Sequence, residues 1–312
     1  MHWIPPWLAR AYARLYLEKR VDSFSFSQAA TILEFSDERR LAKTLAKLRS
    51  NGYLQVTRDP ADSRRKLFNL LDPVSTTIAF AIQSRAKTSE LSDKFKAASN
   101  FLHYCIGGAY ASYQYHRYSS PGSIDISVLP DELPTWIALL SDKDVAISVN
   151  EIPSEKPSAT NVHFKTSFDS RFDKYTVSIE GIKYLSPELL IASGLAENHP
   201  GLDDVIAILI VQRKKLDWDK LEDLCEEYNT SRILAATLEI LNFESSRTLF
   251  DPKTIKKIAG KTDRKARLDF PLDKKSEPPD EAYSAISSKW NVVPHFCRSF
   301  LSKLVTDLVR SK

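Results

Sequence analysis

The chain has 312 residues, and its longest aliphatic run, residues 205–211, is far shorter than the about 20 apolar residues that span a bilayer, which excludes a membrane-spanning protein. Three widely spaced cysteines form no CxxC pair, and six scattered histidines show no metal-ligand spacing, so we expect reduced thiols, no metal and no cofactor. The net charge is only +4 and the N-terminus has no signal-peptide pattern, so we expect a cytoplasmic protein without membrane contacts.

The first 72 residues predict three helices followed by a β-hairpin. Ser27 is expected to cap the second helix, and Gly52 is expected to end the third as a C′ residue. The loop between the two strands, residues 59–65, is rich in turn-forming residues. The predicted bounds are about 5–19, 28–35 and 38–51 for the helices and 53–58 and 66–71 for the strands. This order of elements is that of a winged helix.

The remaining residues predict a mixture of strands and helices, and the whole chain is assigned to the α+β class. Asp72-Pro73 is expected to open a helical connector over residues 73–99. A central domain over residues 100–200 begins with a strand at 101–106 and contains further strands with helices between them. A helical region is expected over 201–312, with a continuous helical pattern from 202 to about 242.

The third helix and the hairpin carry the main functional signal. Residues 1–72 hold 13 lysines and arginines against 8 acidic residues, whereas the rest of the chain holds 31 against 32. A basic module on a neutral body is typical of polyanion binding. A recognition helix fits the major groove of DNA, and a wing reaches phosphates or the minor groove. The predicted DNA-binding residues are Arg39, Arg40, Lys43, Thr44, Lys47, Arg58, Arg64, Arg65 and Lys66.

Residues 41–70, LAKTLAKLRSNGYLQVTRDPADSRRKLFNL, have the order helix, Asn-Gly-Tyr, strand, acidic loop with two arginines, strand. This passage resembles the winged helix–turn–helix of prokaryotic transcription regulators. In that family the arginine after the wing aspartate helps to hold the wing or touches DNA. The resemblance thus implies such roles for Arg64 and Arg65, which follow Asp59 and Asp62.

Residues 101–129, FLHYCIGGAYASYQYHRYSSPGSIDISVL, have the order strand, Gly-Gly, helix, turn and acidic strand. This passage resembles the start of the nucleotidyltransferase superfamily fold, and residues 181–195 and 203–225 resemble later parts of AbiE-type nucleotidyltransferase-like proteins. The resemblance implies that Gly107 and Gly108 approach nucleotide phosphates. It also implies that Asp125 holds Mg²⁺ and is the catalytic carboxylate if the protein is an active enzyme.

The chain departs from that family at the second carboxylate, where it has Ser127. A neutral hydroxyl is a poor Mg²⁺ ligand, and transfer through two metal ions requires several carboxylates. Asp173 and Glu180 are the candidates for a third carboxylate. We therefore expect a phosphate- or nucleotide-binding pocket at Gly107, Gly108, Asp125 and Ser127 that does not catalyse transfer. The alternative is that these residues form an ordinary tight turn and a surface carboxylate.

Three weaker patterns have structural interpretations beside the functional ones. Aromatic residues at 110–118 suit core packing or base stacking, and basic residues at 253–267 suit a solvated helix face or a phosphate contact. A last helix over 294–309 is expected to pack on the protein or to form a dimer. Its predicted apolar stripe is Phe296, Phe300, Leu304 and Leu308.

The function that these patterns favour is sequence-specific binding of double-stranded DNA by a regulator, with an antitoxin-like autoregulator as one form. The expected partners are duplex DNA, a second copy of the chain, and a cognate toxin or nucleotide ligand. One alternative is an active metal-dependent nucleotidyltransferase that holds nucleic acid with its winged helix. The other is a protein–protein interaction module, because winged helices also serve that role.

Overall fold

A computed structural model describes residues 5–59, 62, 64–88, 90–118, 120–141, 145–150, 160–166, 172, 174–259, 267–270, 280–295 and 297–310. Within these residues, fourteen α-helices are combined with ten strands, and six of the strands form one mixed sheet. The protein therefore belongs to the α+β class, and this prediction is confirmed.

The α-helices in chain order are α1 (Pro6–Lys19), α2 (Phe26–Leu33), α3 (Glu38–Ser50), α4 (Pro73–Gln83), α5 (Leu91–Ala98), α6 (Gly108–His116), α7 (Leu133–Leu140), α8 (Pro187–Glu197), α9 (Leu202–Gln212), α10 (Trp218–Glu227), α11 (Ser231–Ser245), α12 (Pro252–Ala259), α13 (Ser284–Trp290) and α14 (Arg298–Arg310). The strands are β1 (Leu54–Arg58), β2 (Lys66–Leu70), β3 (Tyr104–Gly107), β4 (Ser123–Val128), β5 (Val145–Val149), β6 (Thr160–Lys165), β7 (Thr176–Ile179), β8 (Ile182–Leu185), β9 (Leu268–Phe270) and β10 (Val292–Pro294). One turn of 3₁₀ helix, Glu281–Tyr283, precedes α13.

The chain divides into two compact units, each assembled from more than one stretch of sequence. The first comprises Met1–Tyr104, Ser127–Phe168 and Ser178–Ile182, and the second comprises Cys105–Ile126, Asp169–Val177 and Lys183–Lys312. The domain boundaries expected from the sequence, at residues 72, 99 and 200, stay predictions.

The six-stranded sheet has the order β5-β6-β4-β3-β8-β7. The pair β3 and β8 is parallel, and so is the pair β5 and β6. Strands β3 and β4 are neighbours, and β3 ends at Gly107. The glycine turn that follows β3 therefore lies beside β4, which carries Asp125.

In the first unit, α1, α2, α3 and the hairpin β1–β2 enclose one apolar core. The hairpin is antiparallel with Leu54 opposite Leu70, and Phe24 adds a short bridge by exchanging two backbone hydrogen bonds with Phe68. The predicted order of a winged helix is thus present. The fully buried side chains of this core include Leu8, Leu15, Phe24, Leu41, Leu48 and Leu54.

Two of the predicted helix ends in this region are correct, and one start is wrong. Asp72 caps α4, and Gly52 follows α3 with a φ of 75°, as a C′ glycine does. The cap of α2 is Ser25 rather than Ser27. Its hydroxyl accepts the Gln28 backbone N–H, and the Gln28 side chain accepts the Ser25 N–H in return. This reciprocal capping box starts the helix at Phe26.

Two long helical segments are divided into more helices than the sequence predicts, and one strand begins later than predicted. The connector consists of two helices, α4 and α5, and the stretch from 202 to 242 consists of α9, α10 and the larger part of α11. The strand expected at 101–106 begins only at Tyr104, because the N–H groups of Phe101 and Leu102 both donate to the Ala98 carbonyl at the end of α5.

In the second unit, α9 packs against α6, α8 and α14, and α11 packs against α12, α13 and α14. Helix α14 begins at Arg298, later than predicted. Its buried residues are Leu301, Leu304, Val305 and Leu308, whereas Phe300 is 57% exposed. Leu304 and Leu308 are buried as predicted, but the placement of Phe300 on the apolar stripe is wrong, because spacing by four drifts away from the 3.6-residue turn that sets the buried face. Phe296 lies outside the described residues.

Candidate functional site

Helix α3 separates apolar residues from basic residues on two faces. Asp37 caps the helix by accepting the Arg39 N–H at 2.9 Å, which fixes where its first turn begins. Leu41, Leu45 and Leu48 are buried in the core of the winged helix. The opposite face is exposed and carries Arg39, Arg40, Lys43 and Lys47, and Arg49 is exposed at its edge nearer the buried face. The sequence prediction of a basic, outward-facing third helix is in agreement with this arrangement.

The cations of this face have few partners within the protein. In the part of the chain that the structure describes, no carboxylate forms an ion pair with Arg39, Lys43 or Arg49. Two further cations rest on aromatic rings: the Arg40 guanidinium lies 4.7 Å from the centre of the Phe35 ring, and the Lys47 ammonium lies 5.4 Å from that of Trp7. Such contacts orient a cation without neutralising it. The face therefore keeps its positive charge.

Thr44 does not belong to this exposed face, although the sequence analysis placed it there. Its side chain is 1% exposed, and its hydroxyl donates to the Arg40 carbonyl one turn earlier at 2.9 Å. Thr44 neighbours Leu45 and Leu48 around the helix, so it packs with them. A buried hydroxyl that is satisfied within its own helix is not available to DNA, and we leave Thr44 out of the proposed contact surface.

The wing is held by its own acidic residues. The Asp59 N–H donates to the Arg65 carbonyl at 3.0 Å, which closes the loop. The Asp62 carboxylate accepts the Arg64 backbone N–H at 3.1 Å and lies 3.5 Å from the Arg65 guanidinium. Arg64 itself is exposed and makes no ion pair among the described residues. Arg65 thus helps to hold the wing, while the Arg64 side chain stays free to contact a ligand.

Arg58 and Lys66 face each other across the hairpin, at the last residue of β1 and the first of β2. Both are exposed. Together with Arg64 they extend the basic surface from α3 onto the wing within the same small module. We refer to Arg39, Arg40, Lys43, Lys47, Arg58, Arg64, Arg65 and Lys66 as the basic surface.

The glycine turn in the second unit leads directly into a helix. Gly107 ends β3 and precedes the first residue of α6, and Gly108 has a φ of 58°, a conformation that favours glycine. A Cβ atom at position 108 would lie 2.1 Å from the Asp125 Oδ2 atom and 3.0 Å from the His199 Nε2 atom. Glycine at this position therefore makes room for two functional side chains.

Asp125 lies on the side of β4 that faces this turn. Because side chains alternate along a strand, Ile124, Ile126 and Val128 point to the apolar side, and Ser127 shares the side of Asp125. The Asp125 side chain is only 12% exposed, and its Oδ2 atom lies 3.3 Å from His199 Nε2. The structure therefore brings Gly108 and Asp125 together, as the sequence analysis expected.

The sequence analysis missed His199, which lies in the loop between α8 and α9. It precedes Pro200 and is far from Gly108 and Asp125 in sequence, so no spacing pattern connects the three residues. The Nε2 atom is buried and has no hydrogen-bond partner among the described residues, although the outer part of the ring is exposed. The only available signal was a histidine beside a Pro-Gly turn between two apolar helices.

The Mg²⁺ that the nucleotidyltransferase resemblance implies does not fit these residues. Ser127 stands at the position of the second carboxylate, the side chain beside Asp125 is an imidazole, and Mg²⁺ takes oxygen ligands in preference to imidazole. Of the third-carboxylate candidates, Glu180 is exposed in the turn between β7 and β8, and Asp173 lies outside the described residues. Over the described ranges, no group of three or more histidine, cysteine or acidic side chains is arranged to hold a metal.

Side chains of the aromatic cluster of α6 make contacts that stabilise the fold. The Tyr115 hydroxyl donates to the Leu185 carbonyl at 2.8 Å, and burial, together with the Glu188 carboxylate, raises the Tyr115 pKa, so the phenol stays protonated. His116 is buried and pairs with Asp204 at 3.0 Å. Both contacts tie α6 to its neighbours, in agreement with the packing interpretation.

The basic stretch at 253–267 is partly neutralised. Lys257 lies 2.5 Å from Asp219 and 3.1 Å from Glu222, and these carboxylates raise the Lys257 pKa. Lys253 and Lys256 are exposed on the same helix. Lys261, Arg264 and Lys265 lie outside the described residues, so the second predicted phosphate patch stays a prediction.

None of the helices described is long and apolar enough to cross a membrane. Comparison of the chain with protein-family models, curated proteins and solved structures found no match.

Proposed function

We propose that this protein binds double-stranded DNA through its winged helix. The observation that carries the proposal is the exposed face of α3, where Arg39 and Lys43 are charged and unpaired among the described residues while the opposite face is buried. A helix face that met only solvent would not be stabilised by several cations of one sign, because like charges repel each other. A polyanion that follows the helix compensates them.

In the proposed complex, α3 enters the major groove with its N-terminal half. Arg39 and Lys43 are one turn apart on the exposed face, so both reach base edges from one docking position. The exposed Arg64 of the wing contacts a phosphate beside the groove. The proposal therefore assigns sequence reading to α3 and positioning to the wing.

Arg40 and Lys47 are proposed to contact the sugar–phosphate backbone. Each is held over an aromatic ring that comes from outside α3: Phe35 in the turn before it and Trp7 in α1. A side chain that is already oriented loses less conformational entropy when it binds. These two cations are thus suited to clamp phosphates, and less suited to search for a base edge.

The test is duplex binding by the full-length protein, measured by fluorescence anisotropy over a series of salt concentrations. Arg64→Ala should weaken binding to all duplexes alike and reduce the slope of log K against log salt by about 0.9, the value for one lost phosphate contact. Lys43→Ala should change the preference among a pool of duplex sequences. Lys214→Ala in the turn between α9 and α10 removes an equal charge outside both the basic surface and the basic stretch at 253–267, and it should leave both quantities unchanged.

Two results would contradict DNA binding. Affinity that does not depend on salt argues against a phosphate-contacting surface, and equal losses for Lys43→Ala and Lys214→Ala argue against a localised one. A winged helix that binds protein instead predicts no saturable duplex binding at physiological salt. That outcome would favour the interaction-module alternative.

We propose further that DNA binding serves transcriptional regulation, with autoregulation by an antitoxin-like protein as the specific form. Regulators of this kind commonly bind two-fold operators as dimers, so a homodimer is part of the proposal. Sedimentation equilibrium of the full-length protein tests it, and a monomer at micromolar concentration would remove it. An adjacent toxin gene, with toxin that co-purifies with this chain, would support the antitoxin form.

For the second unit we propose a ligand-binding role without nucleotide transfer. One carboxylate and one imidazole lie beside the glycine turn, and the fold resemblance needs more carboxylates than that for catalysis. Incubation with labelled nucleoside triphosphates, Mg²⁺ or Mn²⁺, and RNA, DNA or protein acceptors tests this role. Transfer that disappears in Asp125→Ala would contradict the proposal and favour the active-transferase alternative.

A further inference from the structure

Three histidine–carboxylate pairs occur among the described residues, and one differs from the other two. The pair of His103 with Glu132 has a hydrogen bond of 2.8 Å. In the pair of His116 with Asp204, both ring nitrogens are satisfied, because Nε2 bonds to Asp204 at 3.0 Å and Nδ1 accepts the Tyr118 N–H at 2.9 Å.

The third pair, His199 with Asp125, has no such hydrogen bond. His199 Nε2 and Asp125 Oδ2 are 3.3 Å apart, yet the nitrogen is buried and has no hydrogen-bond partner in the part of the chain that the structure describes. Burial of a polar atom without a partner is costly, so an arrangement of this kind calls for an explanation. The two ligand atoms are close to each other but do not point at each other.

The separation of these two atoms matches an edge of a metal coordination sphere. Zinc binds histidine nitrogen at about 2.0–2.1 Å and carboxylate oxygen at about 2.0–2.2 Å, which places two such ligands about 3.0–3.4 Å apart at angles between square and tetrahedral. A Cβ atom at position 108 would collide with the Asp125 Oδ2 atom at 2.1 Å and would lie 3.0 Å from His199 Nε2, so glycine at this position allows both atoms to lie there. The charge of Asp125 also offsets the partial positive charge at the start of α6.

We propose that Asp125 and His199 bind a divalent transition metal of the zinc, cobalt or manganese type. Imidazole nitrogen with carboxylate oxygen is a donor set that suits these ions, and it does not suit Mg²⁺. Catalytic zinc sites have three protein ligands and one open position, so a site with two protein ligands leaves at least two positions for water or for an external ligand. This site lies within the second unit and is independent of the proposed DNA binding.

The experiment is a titration of metal-free full-length protein with Co²⁺, followed by visible absorption and by competition with Zn²⁺ and Mg²⁺. We expect one equivalent to bind and Zn²⁺ to displace it, with Mg²⁺ ineffective at the same concentration. Asp125→Asn and His199→Gln keep similar side-chain size, and each should weaken binding by roughly tenfold or more. His103→Gln alters an exposed pair elsewhere and should bind like the wild type.

A second measurement avoids substitutions that affect folding. Nitrogen-15 correlation spectra of the histidine rings in the wild-type protein should show a Zn²⁺-dependent shift at Nε2 of a single histidine. The proposal is overturned if binding is not saturable, if Mg²⁺ competes as well as Zn²⁺, if no ring nitrogen shifts, or if folded Asp125→Asn and His199→Gln bind with unchanged affinity.

Discussion

The Nε2 atom of His116, at the end of α6, lies 3.0 Å from the Asp204 Oδ1 atom in the first turn of α9. The other ring nitrogen accepts the Tyr118 N–H, so the proton of the neutral imidazole is on Nε2 and points at the carboxylate. Both side chains are nearly inaccessible to solvent. This pair fixes the helix that follows the glycine turn against the core of the second unit.

His116→Ala should lower the free energy of unfolding by about 2–4 kcal/mol, because it leaves the Asp204 carboxylate buried without its donor. Urea denaturation followed by circular dichroism measures the change. His103→Ala is the matched control: it removes an exposed imidazole from Glu132 and should cost less than about 1 kcal/mol. Similar losses for the two variants would show that the buried pair has no special role.

Thr44→Val should leave the affinity for duplex DNA within about twofold of the wild type, since position 44 is buried. Lys43→Ala, at the neighbouring exposed position, should cost about 1–3 kcal/mol of binding free energy on the preferred sequence if Lys43 reads a base. Anisotropy titrations of both variants on one duplex provide the comparison. A larger loss for Thr44→Val than for Lys43→Ala would return Thr44 to the contact surface.

Leu304→Ala in α14 should destabilise the protein by about 2–5 kcal/mol, because it removes most of a buried side chain from a packed helix. Phe300→Ala removes a larger but exposed ring from the same helix and should change the unfolding free energy by less than about 1 kcal/mol. Denaturant midpoints measure both. The reverse order would restore the apolar stripe that the sequence predicts.

Cys225 should be unreactive in the native protein at pH 8, because burial raises the pKa of its thiol to about 12 and only the thiolate attacks disulfide reagents. Cys297 is partly exposed and should react first, and Cys297→Ser should remove this fast phase. The unfolded thiol ionises near its ordinary pKa of about 9 while the native one stays protonated, so this group lowers stability as the pH rises above 9. Rapid labelling of Cys225 at pH 8 would contradict its burial.

The winged helix was predictable because its elements follow one another along the chain and their signals are local. Asp37 and Gly52 mark the ends of α3, and the acidic loop at 59–65 marks the hairpin. Capping and turn formation depend on neighbours within a few residues, which the sequence displays directly. The glycine turn before α6 and the acidic strand β4 were predictable for the same reason.

Which face of each helix is buried was less predictable. Thr44 is small and polar but buried, and Phe300 is large and apolar but exposed. A helix with candidate residues on more than one face buries the face that meets its neighbours, and the position of those neighbours is a property of the whole fold. Sequence periodicity therefore located α3 and α14 but assigned one residue of each to the wrong side.

The sequence by itself determined the α+β class, the order of elements in the winged helix and the residue types of the basic surface. Only the tertiary structure decided that His199 meets Asp125 beside Gly108. That meeting depends on the pairing of β3 with β4 and on the packing of α8 and α9, which place residues distant in sequence within 3.3 Å. Local propensities cannot specify it, because side-chain contacts across elements are set by long-range packing.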